Sequence, residues 1–153
     1  PLELNLMVVE TRQILEEVIE MSAARAKSEN ISIRKNYGPL PSVLVDPDFI
    51  KACLYNIILN AFQSMQGGGA LTISTVRSDG VIQMVFEDTG KGISPDKVEK
   101  VFDPFFTTKE KGLGIGLAFT RRVIEEHGGK VNFRTVEGKG STVTVTLPLK
   151  FEE

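Results

Sequence analysis

Two asparagines set one helical turn apart are the first residues here with chemistry to offer. Asn56 and Asn60 lie in a run from Phe49 to Met65 whose apolar residues recur with helical period, so both side chains share one face. Gln63 falls on the same narrow stripe. Phe49, Ile50, Cys53, Leu54, Ile57, Ile58, Ala61 and Met65 form a broad apolar arc beside it. The amides therefore border a buried face instead of lying opposite one. Amides so placed could hold phosphate groups or a hydrated Mg²⁺, which favours oxygen ligands and keeps several waters. They could equally cap neighbouring loops.

Three later stretches add to this inventory. Asp88-Thr89-Gly90-Lys91-Gly92-Ile93 ends an alternating segment. A carboxylate at a strand end can accept a hydrogen bond from an exocyclic amine, which is one way to read adenine; an exposed turn is the plainer alternative. Glycines there let the backbone turn sharply and approach a ligand. Gly112-Leu113-Gly114-Ile115-Gly116-Leu117 opens a helix, and unpaired amides at a helix start favour phosphate. Between them, Phe102-Asp103-Pro104-Phe105-Phe106-Thr107-Thr108-Lys109 carries three phenylalanines that can anchor a loop, from which Lys109 and Lys111 can reach a polyphosphate. The dinucleotide fingerprint does not fit, because it needs a strand directly before the glycines and a parallel βαβ unit. The phosphate-loop Gly-Lys-Ser/Thr signature is absent.

The elements that must position these residues follow from periodicity and punctuation. Residues 2–9 predict an entry strand, 10–27 an amphipathic helix, 31–36 and 43–45 strands. Asp46-Pro47 caps and starts the asparagine helix, which runs to about Met65 and stops at Gly67-Gly68-Gly69. Residues 70–77 and 81–88 predict a hairpin, Ser94-Pro95 a short helix through Phe102, 104–113 a loop, and 114–126 a helix closed by Gly128-Gly129. Residues 130–135 and 141–149 form a second hairpin. The expectation is an α+β, two-layer α/β sandwich: a mixed, mostly antiparallel sheet with about three helices on one face.

Composition sets the outer limits. The chain has 153 residues, 41% hydrophobic and 25% charged, which suits one soluble globular domain spanning 1–153. A net charge of −2 gives no basic surplus for nucleic acid. The one cysteine, Cys53, excludes an internal disulfide and reads as a buried apolar residue. No stretch is long and apolar enough to span a bilayer. Pro1 at the start suggests a piece of something longer.

Taken in order, the motifs resemble the catalytic, ATP-binding domain of sensor histidine kinases in the Bergerat-fold (GHKL) ATPase superfamily, which includes DNA gyrase B and the heat-shock chaperone ATPases. Asn56-Ile57-Ile58-Leu59-Asn60-Ala61 is similar to the family's N box, Asp88 to Ile93 to its first glycine box, Phe102 to Phe106 to its F box, and Gly112 to Leu117 to its second glycine box. Gly138-Lys139-Gly140-Ser141-Thr142 is similar to the trailing glycine turn, and His127-Gly128-Gly129 is usual after the second-box helix. The resemblance covers nearly the whole chain.

The resemblance implies ATP or ADP as ligand with Mg²⁺. Asn60 together with Asn56 would coordinate the metal and serve catalysis, with Lys109 reaching the phosphates. Asp88 would bond the adenine amino group, with a water shared by Thr142. Gly90, Lys91, Gly92 and Ile93 would shape the adenine pocket, with Gln63, Phe105 and Thr108 around the ligand. Backbone amides of the stretch Gly112, Leu113, Gly114, Ile115, Gly116 and Leu117 would hold phosphate oxygens. Gln63 stands where many members carry a phosphate-contacting lysine; with the short segment between Lys109 and Gly112 this resembles the nitrogen-regulator-like subgroup. The implied reaction is transfer of the γ-phosphate to a histidine on a separate dimerisation domain, expected before Pro1, with a response regulator downstream. Full-length members are usually homodimers; the fragment is expected to be a monomer, a cytoplasmic domain of a parent that could be membrane-anchored. Hydrolytic relatives place a glutamate at position 56 to activate water; an amide cannot take that proton. His127, the only histidine, is expected to close a helix and not to accept phosphate. An anti-sigma-factor-type serine kinase, or a nucleotide-dependent conformational module without phosphotransfer, are the competing readings.

Overall fold

The structure is a computed structural model and describes residues 1–103 and 116–149. The elements in chain order are β1 (Met7–Glu10), α1 (Thr11–Ser28), β2 (Ile31–Tyr37), β3 (Ser42–Val45), α2 (Pro47–Gln63), β4 (Gly69–Ser78), β5 (Val81–Asp88), a 3-10 turn (Pro95–Lys100), α3 (Ala118–Glu126), β6 (Lys130–Val136) and β7 (Gly140–Pro148). Five strands form one sheet in the order β2-β4-β5-β7-β6, and β1 and β3 pair in a small antiparallel ribbon. The β2–β4 pair is parallel and the other pairs of the main sheet are antiparallel. This is the mixed α+β sandwich that the patterning predicts.

Alternation along the strands builds the inner layer. Ile82, Met84 and Phe86 of β5 and Val143, Val145 and Leu147 of β7 are buried on one face, as period-two side-chain placement requires. Leu71 and Ile73 of β4 join them, and α1 and α2 cover the row with Leu15, Val18, Ile50, Leu54, Ile57 and Ile58. Cys53 is fully buried in α2. Burial pushes its thiol up to about 12, so it stays a neutral apolar group.

Three boundaries differ from expectation. The entry strand is confined to Met7–Glu10, and before it the Asn5 amide donates to Asp46 Oδ2 at 2.8 Å instead of to a strand partner. The short helix after Ser94 is a 3-10 turn. The helix expected from Gly114 starts at Ala118, with Leu117 as its cap; Gly116 and Leu117 are not helical. Glycine in a helix interior is disfavoured, which suits a late start.

α2 is fixed firmly at its start. Asp46 Oδ1 accepts from the Asp48 and Phe49 amides at 3.1 and 3.2 Å, with Pro47 at the first helical position. The Asp46 amide donates to His127 Nε2 at 3.0 Å, and His127 Nδ1 lies 2.8 Å from the Val123 carbonyl. The imidazole is therefore the Nδ1–H tautomer, accepting at one nitrogen and donating at the other. His127 is buried at the end of α3 and joins α3 to the start of α2.

Candidate functional site

At its other end α2 opens onto a cleft. Asn60, Gln63 and Ser64 from its last turns, Asp88 from the end of β5, Lys91, Gly92 and Ile93 from the following turn, Gly116 and Leu117 before α3, and Ser141 of β7 all line it. The cleft spans about 700 Å³ including solvent at its mouth. Its floor is apolar: Ile57, Phe86, Val101, Phe133 and Val143. A few convergent polar groups over an apolar floor are what small-ligand sites commonly present.

Asp88 is the polar group at that floor. It continues the inward row Ile82, Met84, Phe86, so strand parity points it into the cleft. Its Oδ1 accepts from the Gly90 amide at 2.8 Å and the Ser141 amide at 3.2 Å. Burial raises its pKa, and the amides and the Ser64 hydroxyl offset this only in part, with the Glu87 charge adding to the rise.

The glycines around it answer to close approach. A side chain on Gly90 would run into the Ser64 hydroxyl and carbonyl. Gly92 has φ +69 and sits against the Val136 carbonyl, a place only glycine fills without strain. The Lys91 amide donates to the Ser64 carbonyl at 3.0 Å. That bond ties the turn after β5 to the end of α2.

Three residues expected at the site sit differently from that expectation. Thr142 does not line the cleft; it pairs with Glu87 and Arg134 across the sheet and borders a neighbouring depression that Asp88 and Ser141 also line. Ser141, in step with Val143, Val145 and Leu147, lines the cleft; its amide donates to Asp88 Oδ1 and its hydroxyl lies 2.9 Å from Thr135 Oγ1. The sequence carried that signal, because those three apolar residues share the parity of position 141 and not 142. Second, Asn56 does not line the cleft; its Nδ2 donates to Thr120 Oγ1 of α3 at 3.1 Å. Third, the Leu117 amide, expected to hold phosphate, donates to the Val101 carbonyl at 2.9 Å. The first-turn amides of α3 that follow have no partner within the helix, and α3 starts beside the cleft wall.

Gly90 lies behind the lining, with its amide turned to Asp88. Phe105, Thr108, Lys109, Gly112, Leu113, Gly114 and Ile115 lie outside the described residues. Ser64 and the floor residues Phe133 and Val143 were not anticipated as site residues. They arrive through packing of distant segments.

Known proteins match this arrangement. A family model described as histidine kinase-, DNA gyrase B-, and HSP90-like ATPase matches residues 45–151. The sensor histidine kinase ZraS of Escherichia coli (strain K12) is 34% identical over 150 residues, covering 97% of this chain and 32% of that protein. Sporulation kinase C of Bacillus subtilis (strain 168) is 35% identical over 140 residues, covering 90% of this chain and 33% of its own length. The chain thus spans about a third of the length of these curated relatives. Among solved structures, the catalytic domain of the histidine kinase ThkA in a nucleotide-free form has a TM-score of 0.87 at 26% identity, covering 95% of this chain and 97% of that one. Full-length ShkA in complex with AMPPNP has a TM-score of 0.85 at 30% identity, covering 96% of this chain and 32% of that one.

Proposed function

Because the chain belongs to the histidine kinase-, DNA gyrase B-, and HSP90-like ATPase family, we propose that it is the nucleotide-binding unit of a sensor histidine kinase. It holds Mg-ATP in the cleft and delivers the γ-phosphate to a histidine on a separate dimerisation and phosphotransfer domain. The observation that carries this is Asp88: a buried carboxylate at the floor of an apolar cleft, with Asn60 and the start of α3 on its walls. ShkA, similar over nearly the whole chain, is a complex with the ATP analogue AMPPNP.

Each group has a role that its chemistry supports. The carboxyl oxygen of Asp88 accepts from the adenine amino group, and the Ser141 hydroxyl shares a water with it. Ile93, Phe86 and Val143 cover the base. Among the described residues no cluster of His, Cys, Asp or Glu could hold a metal by itself. An amide oxygen together with the ligand's own phosphates is a donor set that suits Mg²⁺, which favours oxygen ligands and keeps several waters. Asn60, which lines the cleft, is the amide we assign to it, and Mg²⁺ when bound would neutralise charge on the phosphates. Lys109 and the amides preceding Gly116 would complete the phosphate end. Phosphoryl transfer asks mainly for positioning and charge stabilisation.

The acceptor lies elsewhere, because His127 is buried with both nitrogens engaged. The amides of Asn56 and Asn60 supply no general base for water, which spares the γ-phosphate for another acceptor. A response regulator then takes the phosphate from that histidine, and the parent chain is a homodimer through its helical domain. Among the described residues no helix is long and apolar enough to cross a membrane.

The test is calorimetry with ADP and Mg²⁺ on the wild type and on Asp88→Asn. The asparagine Oδ1 still accepts from the Gly90 and Ser141 amides, so the fold persists. Losing a charged hydrogen-bond acceptor should weaken binding by about 10- to 100-fold. Equal affinity for both proteins would reject the assignment.

A further inference from the structure

We propose that Thr135 is a positioning residue for base recognition, fixing the Ser141 hydroxyl so that Ser141 and Asp88 both meet the base as acceptors. This rests on the nucleotide reading of the cleft given above.

Thr135 lies on β6, half-buried in step with Val131 and Phe133, and does not itself line the cleft. Its hydroxyl stands where three segments meet. The Ile93 amide donates to Thr135 Oγ1 at 2.8 Å. Thr135 Oγ1 donates to the Gly140 carbonyl at 3.2 Å and lies 2.9 Å from Ser141 Oγ. Close by, backbone alone joins the turn after β5 to the β6–β7 turn. The Gly138 amide donates to the Lys91 carbonyl at 2.6 Å, and Gly92 sits against the Val136 carbonyl. Valine suits a strand as well as threonine does, so the hydroxyl at position 135 needs a reason.

Proton accounting supplies one. A hydroxyl has one proton and two lone pairs. The Ile93 amide can only donate, so it takes one lone pair of Thr135. The Gly140 carbonyl can only accept, so it takes the proton. One lone pair remains, and Ser141 fills it with its own proton. Ser141 Oγ, on the cleft wall, then has lone pairs and no donor left for a ligand or a water. The Asp88 carboxylate nearby is an acceptor too, with Oδ1 held by the Gly90 and Ser141 amides. Two acceptors suit a base edge that carries an exocyclic amine, with a water donating to both. An edge carrying a carbonyl oxygen instead would leave polar groups unpaired, which is how such sites reject a close analogue. The same hydroxyl pins Ile93, the apolar residue of that turn in the cleft lining.

The experiment measures binding of ADP and of inosine diphosphate by calorimetry with Mg²⁺. The second nucleotide has a carbonyl oxygen where ADP has the exocyclic amine. Wild type should prefer ADP. Thr135→Val frees the Ser141 proton to serve as a donor in the cleft, and the preference for ADP should narrow roughly fivefold, the worth of one hydrogen bond. Thr135→Ser keeps the hydroxyl and should keep the preference. Thr135→Ala replaces the valine variant if that one does not give a cooperative melt. An unchanged preference without the hydroxyl overturns the inference. So does an equal weakening of both nucleotides, or a serine variant that behaves like valine. Asp88→Asn in the same series separates the two readings. If it narrows the preference and Thr135→Val does not, only the inference falls. If wild type binds neither nucleotide, or binds both equally, the reading of the cleft falls with it.

Discussion

Asp46 and Asp88 are both buried carboxylates, 5% and 8% exposed, yet their acidities move in opposite directions. Burial pushes each upward. At Asp46 the amides of Asn5, Phe49 and Asp48 outweigh it, and the carboxyl falls below its ordinary value. At Asp88 burial wins over two amides and one hydroxyl, and the value rises. The first sits at a helix start, where dipole and orphan amides favour an anion. The second sits at a strand end over an apolar floor. A carboxylate whose oxygens are taken up by the fold is part of the frame. One left short of donors has capacity for a ligand.

The contrast can be broken first at the frame. His127→Ala removes the acceptor of the Asp46 amide and leaves a hole between α2 and α3, so denaturant unfolding should show a loss of about 3 kcal/mol. Nucleotide affinity of the folded protein should be unchanged. Asp46→Ala removes the cap and should cost about 2 kcal/mol. Asn60→Ala should do the reverse: a smaller stability change, with Mg-nucleotide affinity reduced about tenfold in calorimetry.

Acid sharpens the comparison. The folded pKa of Asp46 lies below its unfolded value, so its stabilisation is complete above the ordinary carboxylate value and is lost as pH falls through the folded one. Asp88, raised, has the opposite sign: ionisation costs stability, and that cost disappears on protonation. Nucleotide affinity should therefore begin to fall at a higher pH than the Asp46-dependent part of stability. Paired pH series of melting and calorimetry check this, and Asp46→Asn should flatten only the melting curve. The smallest effect belongs to Gln63→Lys, which places a cation in the cleft wall and should strengthen triphosphate binding about threefold at low salt.

Much of this was legible where the chemistry is local. Asp46-Pro47 announces the start of α2, Val81 to Asp88 alternates over the length of β5, and Gly90 and Gly92 mark a turn that tolerates no side chain. Parity puts Ser141 on the cleft side of β7, whereas the motif pointed to Thr142. What sequence could not show are the partners brought by tertiary packing. Thr120 reaches Asn56 only once α3 lies against α2, and the Leu117 amide reaches Val101 only once the segment between them turns back. The dual engagement of His127 needs α2, α3 and their mutual angle. Periodicity says which face is buried, not which distant atom meets it.

The parallel pairing of β2 with β4 makes α2 a crossover helix, made early and finished late. On the ribosome its apolar arc emerges well before Thr120 and Ser141 exist. A nascent chain ending near residue 100 carries Asn60 and Asp88 yet has no second wall. Ligand binding stabilises only states that can bind, so nucleotide can rescue destabilised variants only after synthesis has passed Ser141. Before that, the growing polypeptide must shield that helix without help from ATP.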